Sequence, residues 1–339
     1  MRLDPPVLLS RIHLALCSLC TLWFILPHPA AAAESSVLFR EDFEQYDKKN
    51  WDEFGAAPEA IEIVEGGPAG QGRCVQITAT AGKNTGGHLY KMLSPGMDVC
   101  HLRFYVKFEK DHDYVHHFVH LVGYNPPTRY PQGGAGERPK GDERFSTGIE
   151  PWGDWAKHPA PGVWNFYSYW HQMKQSRDGK YWGNSFVPEP RVPVERDKWV
   201  CVEVRLKCNT SPDKSDGEQA LWIDGKEVGR WGGIHWRTDE KLKVNGLWML
   251  YYITPNAARQ NRVKEPRATN RVWFDDIVVS DAYVGPLAEP GAGRQRAGTQ
   301  HEPESQAVAT PRGAGPGSGH RAPAAGGGRR HPSAAVEAR

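Results

Sequence analysis

An excess of charge of one sign is missing from this sequence: 42 Lys and Arg stand against 40 Asp and Glu over 339 residues, a formal net charge of +2. A nucleic-acid protein would show a concentrated basic face, so no nucleic acid is expected as partner. Sustained helical periodicity is missing as well, which excludes a helical bundle or a series of βαβ units. The apolar run from Ile12 to Leu26 falls short of the ~20 residues that a membrane span needs. Cysteine is scarce: six in all, with Cys17 and Cys20 inside that run. After Leu287 there is no Leu, Ile, Phe, Tyr or Trp, and Gly, Pro, Ala and Arg take over to Arg339. Such a segment cannot bury enough apolar surface to offset its ordering entropy. Residues 288–339 are therefore expected to form a disordered, solvated tail.

The short apolar run has its own explanation. Arg2 and Arg11 precede it, and Ala30 to Ala33 supply an Ala-x-Ala cleavage signal before Glu34. Residues 1–33 read as a signal peptide. The mature protein is then exported, extracellular or periplasmic, with no membrane attachment once the leader is removed. It keeps Cys74, Cys100, Cys201 and Cys208, an even number that allows disulfides in such a compartment. Cys201 and Cys208 fall on opposite faces of one strand and cannot pair with each other, and Cys74 with Cys100 is the preferred bridge.

Tryptophan is abundant: thirteen residues, twelve of them between Trp51 and Trp273. Aromatic faces stack on the C–H faces of sugars and also fill sandwich cores, so the count suggests carbohydrate. Short alternating runs separated by Gly, Pro, Asn or Asp recur from Glu34 to Leu287, among them Val37–Phe43, His101–Phe108, Val115–Gly123, Trp199–Cys208 and Val272–Ser280. They predict one all-β domain, a two-sheet antiparallel jelly-roll sandwich over residues 34–287. Leu102, Phe104, Val106 and Phe108 are expected inward, as are Val200, Val202, Val204 and Leu206. Asp224-Gly225 closes a hairpin.

Val163 to His171 carries the chemistry. Read as a strand, it sends Asn165, Tyr167, Tyr169 and His171 to one face and Trp164, Phe166, Ser168 and Trp170 to the other. One face suits a core and the other a ligand. On the strand from Arg144, Ser146 shares a face with Arg144, Gly148 and Glu150 and is expected to orient substrate.

The order of Arg144-Phe-Ser-Thr-Gly-Ile-Glu150, Tyr167-Ser-Tyr169, Trp199-Val-Cys-Val-Glu203, Leu221-Trp-Ile-Asp-Gly225 and Val272-Trp-Phe-Asp-Asp-Ile-Val-Val-Ser280 resembles the alginate-lyase and glucuronan-lyase families, polysaccharide lyases with a concanavalin A-like jelly roll. The resemblance runs from Phe39 to Pro286 as an order of motifs. The hairpin and the closing strand are shared by concanavalin A-like domains of many functions and speak for fold. Tyr-x-Tyr is more pointed, because the resemblance implies that one phenol serves as catalytic base or acid. The alginate lyases carry a Lys where this chain has Val115 to Gly123, which contains none. Simple alternation there places His116, Phe118 and His120 on one face and Val115, His117, Val119 and Leu121 on the other, so His116 or His120 is expected to replace the Lys, as in the glucuronan-type relatives.

A uronate lyase removes the proton at C5 and expels the 4-linked oxygen, and that proton is acidic only when the neighbouring carboxylate is neutralised. Asn165, Arg144, His116 and His120 are the candidate neutralisers. Tyr169 is the first candidate for proton transfer and Tyr167 the second, although a phenol with an ordinary pKa near ~10 needs cationic neighbours to act as a base. The expected partner is an anionic, uronate-containing polysaccharide, with no cofactor required. A structural Ca²⁺ is expected near the paired terminal strands, held by Glu41 or Asp42 and by Asp275 or Asp276.

Other chemistries fit less well. A retaining glycosidase needs two carboxylates ~5–5.5 Å apart, and Glu150 stands alone in its strand. His112, His116, His117 and His120 would gather round zinc only on a helix, which the Val and aromatic content opposes. A lectin-like domain on the same fold is the alternative of a different class, with Trp152, Trp155, Trp182, Trp231 and Trp236 as stacking platforms.

Overall fold

The computed structural model describes residues 36–55, 58–68 and 70–288. The expected leader and nearly all of the expected tail lie outside the described residues. In chain order the strands are β1 (Val37–Glu41), β2 (Glu53–Gly55), β3 (Ile61–Glu65), β4 (Arg73–Thr80), β5 (Gly86–Met97), β6 (Val99–Phe108), β7 (Val119–Tyr124), β8 (Arg144–Trp152), β9 (Val163–Tyr169), β10 (Asn184–Phe186), β11 (Val200–Lys207), β12 (Gly217–Ile223), β13 (Lys226–Ile234), β14 (Val244–Tyr252) and β15 (Thr269–Ser280). A single short α-helix among the described residues, α1 (Pro255–Gln260), follows β14.

Two antiparallel sheets form the expected jelly-roll sandwich. The first runs β13-β12-β11-β6-β15-β4-β3 with β1 added to β15, and the second runs β10-β9-β8-β7-β14-β5-β2. Pairing of β1 with β15 joins the two ends of the domain and removes an open edge. The period-2 alternation holds for the inward faces of β6 and β11. Leu102, Phe104, Val106 and Phe108 of β6 and Val200, Val202, Val204 and Leu206 of β11 all point into the core between the sheets. Asp224 and Gly225 both have positive φ and turn β12 directly into β13, which is why a Gly is useful there.

The outer face of β6 departs from simple alternation. Arg103 and Tyr105 are buried as well, because the segment after β15 folds over them. Arg103 pairs with Asp276 at 2.7 Å, and the Leu287 amide donates to the Tyr105 hydroxyl. Glu203 is the anchor of this segment: its buried carboxylate accepts from Val284 N, Gly285 N and His101 Nδ1 at 2.9, 2.7 and 2.9 Å. Glu203→Ala would strand two backbone donors and an imidazole away from water, so a loss of about 3 kcal/mol is expected in urea unfolding. An unchanged midpoint would show that the segment is not held this way.

The disulfide expectation is overturned. Cys74, Cys100, Cys201 and Cys208 are all free and buried. Cys74 lies on β4 and Cys100 on β6, with β15 between those strands, so two strand spacings separate them and a direct S–S bond is out of reach. Asn209-Thr-Ser211 has the form of an N-glycosylation sequon, but the Asn209 side chain is fully buried and donates to the Ser211 and Arg237 carbonyls.

Candidate active site

The alternation of β9 sorts its side chains as expected. Trp164 and Phe166 enter the core, and the Ser168 hydroxyl meets Thr147 and Gln219 between the sheets, at 2.7 and 3.2 Å. Asn165, Tyr167 and Tyr169 take the outer face of the second sheet. Register then decides their neighbours: Asn165 stands opposite Glu150, Tyr167 opposite Gly148 and Tyr169 opposite Ser146. One strand further on, Gly148 faces His120, which in turn faces Trp248 on β14. Trp248, His120, Gly148 and Tyr167 therefore form one row across four strands. A Cβ on Gly148 would come 2.7 Å from the His120 Nε2 atom, so the missing side chain is what lets the imidazole lie flat on β8.

The histidines differ from the alternation read in the sequence. Phe118 does not share a face with His116 and His120; it sits fully buried in the core against Phe108 and Phe274. Regular pairing of β7 begins at Val119, so two consecutive residues, Phe118 and Val119, turn inward, and His117 swings to the outer face. It places Nδ1 3.3 Å from Glu150 Oε2 and its ring 5.5 Å from that of Tyr167. His117 is the functional candidate that sequence reasoning missed; the adjacent apolar pair Phe118-Val119 was the available signal. His116 stands behind it, stacked on the His117 ring at 4.5 Å and on Tyr252 at 5.2 Å, with Nδ1 2.7 Å from the Thr254 hydroxyl at the start of α1. It orders His117 and is set back from Asn165 and the phenols.

The electrostatics follow from burial. His120 Nδ1 lies 2.7 Å from the Phe118 carbonyl, which can only accept, so Nδ1 carries the proton and Nε2 carries a lone pair. Desolvation lowers its pKa to about 4 and keeps it neutral. Desolvation, the facing Tyr169 and Glu150 all push the Tyr167 phenol well above its ordinary value, and desolvation raises Tyr169 as well. The two hydroxyl oxygens are 3.5 Å apart. Both phenols are thus proton donors at neutral pH. Asn165 is only 1% exposed, yet neither its amide nitrogen nor its amide oxygen has a partner. A buried primary amide left unpaired costs stability unless something arrives to fill it.

Other expected site residues are placed elsewhere. Arg144 braces the loop before β8 by donating to the Gly134 and Glu137 carbonyls, at 3.5 and 3.2 Å. Ser146 shares the outer face with Tyr169. His171 lies past the end of β9 and packs edge-on against His235 at 4.6 Å. The four carboxylates proposed for calcium do not make a cradle. Asp276 is taken by Arg103, and Glu41 accepts from Phe43 N and Asn50. Asp275 accepts from the Asp276 amide, while Asp42 is exposed. Among the described residues no three His, Cys, Asp or Glu side chains form a group that could hold a metal, and of the histidines considered for zinc His112 is buried apart against Tyr251. Of the tryptophans offered as sugar platforms, Trp236 is fully buried and Trp231 packs against the core.

No protein-family model and no curated protein sequence matches the chain. Solved structures do. An alginate lyase from Chlorella virus superposes with a TM-score of 0.53 at 15% identity, covering 72% of this chain and 99% of that one. An alginate lyase from Aplysia kurodai gives 0.52 at 12% identity over 74% and 100%, and the alginate lyase Aly36B gives 0.51 at 15% over 72% and 96%. At these identities the likeness is one of fold.

Proposed function

We propose that this protein is a polysaccharide lyase that cleaves a uronate-containing polymer by β-elimination on the outer face of β7, β8 and β9, outside the cytoplasm. The unpartnered amide of Asn165, buried beside Glu150 and close to Tyr167, carries the proposal. A uronate carboxylate entering there meets the two N–H donors that Asn165 now leaves unused, and hydrogen bonding to the carboxylate is what makes the C5 proton removable. The solved alginate lyases that share this fold support the substrate class, and one of them is known as a complex with an alginate tetrasaccharide.

Roles follow from proton inventory. His117 donates Nδ1–H to Glu150, which leaves Nε2 as the base and provides a carboxylate to stabilise the imidazolium that forms, the logic of a histidine oriented by an acid. Nε2 takes the C5 proton, the C–H electrons become the C4–C5 double bond, and the C4–O bond breaks. The departing oxygen receives a proton from Tyr169, with Tyr167 as second donor. A raised phenol pKa suits this acid role better than the base role expected from sequence. His120 accepts a substrate hydroxyl at Nε2. Glu150 does not face the substrate bare, because His117 already holds it. No lysine is needed in this arrangement, which answers its absence from Val115 to Gly123.

Incubation with alginate, glucuronan and related uronate polymers should give rising ultraviolet absorbance from unsaturated ends. Tyr169→Phe keeps ring packing and removes the hydroxyl, so the absorbance should be lost while polymer binding persists. Tight binding of a uronate polymer without any unsaturated product from the wild-type protein would replace the lyase by the lectin-like reading.

A further inference from the structure

We propose a second carbohydrate-binding surface on the opposite side of the sandwich, a strip of Trp199, Lys107 and Trp273 that holds an anionic polysaccharide away from the lyase site proposed above. Lys107 and Trp273 are directly paired across β6 and β15. Val200 pairs with Val106, so Trp199, one residue earlier, continues the row on the other side of Lys107. The alternate residues of these strands, Val106, Phe108, Val200, Val272 and Phe274, are in the core, which turns the three side chains outward from the first sheet. The lyase site proposed above lies on the outer face of the second.

Three features distinguish the strip from an ordinary sheet surface. The two indoles are separated by two strand spacings, ~9.6 Å, a distance that two units of an extended 4-linked sugar chain span. All three side chains are half-exposed. The Lys107 ammonium sits between the rings, 5.4 Å from the Trp199 centroid and 4.8 Å from the Trp273 centroid. Aromatic contact on both sides holds the cation in place. Among the described residues Lys107 has no carboxylate partner, whereas the neighbouring Arg271 is paired with Glu109 at 2.8 Å. A strip of apolar surface with one unpaired cation at its centre complements a polymer whose apolar C–H faces alternate with carboxylates. Charge therefore favours the same anionic class as the lyase site, and in that choice of polymer the inference rests on the function proposed above.

Affinity electrophoresis of the full chain through native gels containing alginate, glucuronan or a neutral β-glucan tests it. Trp199→Ala/Trp273→Ala should weaken retardation by the anionic polymers about tenfold or more. Lys107→Gln should weaken retardation by the anionic polymers and leave the neutral gel unaffected. Turnover of a uronate trisaccharide, too short to reach both faces, should be unchanged in both variants, while KM for long polymer rises. Unaltered retardation of the double-Trp variant overturns the proposal. Should that variant fail to fold by circular dichroism, Lys107→Gln and Trp273→Phe decide alone, and full retention by both overturns it equally. Because retardation is read without catalysis, the absence of unsaturated product would sink the lyase reading and leave this test intact.

Discussion

His117→Ala is expected to lower the initial rate of unsaturated-product formation by about 10²–10⁴-fold, the usual contribution of a positioned general base. Polymer binding should change little, because the ring is partly exposed and stacks on His116 and Tyr252, whereas stability should fall because Glu150 loses its Nδ1 partner. Glu150→Gln tests the same dyad from the other side. It retains a hydrogen-bond acceptor for Nδ1 but removes the charge that stabilises the imidazolium, so kcat should fall with KM nearly constant. A His117→Ala protein that keeps more than a tenth of wild-type turnover would return the base role to His120 or to a phenol. Asn165→Leu separates neutralisation from proton transfer: it fills the space with an apolar group, removes an unpaired buried amide and should stabilise the fold slightly while abolishing turnover.

The second large effect is acid lability. Burial depresses His112 and His116 to about 3 and His120 to about 4, from an ordinary 6.5. The unfolded chain therefore takes up three protons below pH 6.5 that the folded chain refuses. The stability associated with these residues is complete above that pH and is lost as the pH falls towards the folded values. Two acids work in the opposite direction. Burial raises Asp275 to about 7 and raises Glu41, so the folded chain binds their protons first as the pH drops. Three histidines against one fully shifted and one partly shifted acid leave a net difference of about one to two protons between pH 6 and 4.5. The expected slope is ~2 kcal/mol lost per pH unit. Urea midpoints at pH 7.0, 6.0 and 5.0 measure it directly, and a flat profile would show that these histidines are protonated in the folded protein. His112→Gln, which cannot titrate, should remove about one proton's worth of the slope at some cost in stability at neutral pH, where the Tyr251 contact is weakened.

What the sequence determined by itself is the local and periodic part. Strand existence follows from alternation, because a half-buried sheet demands a period of two wherever one face meets the core. That rule was enough to place Trp164 and Phe166 inside and Asn165, Tyr167 and Tyr169 together on the outer face. Asp-Gly was enough for the hairpin after Ile223, since its chemistry is contained in two residues. Tertiary structure decided everything that depends on which strands become neighbours. A pair of inward residues at Phe118 and Val119 breaks the period, exchanges His116 for His117 in the site, and reflects the space offered by Phe108 and Phe274 on other strands. Cross-sheet order puts β15 between Cys74 and Cys100. Asp276 forms an ion pair because Arg103 lies on the adjacent β6, and Arg144 spends its donors on a loop. Alternation has no information on pairing partners, and it is pairing that converts the acids, amides and rings of this chain into a site.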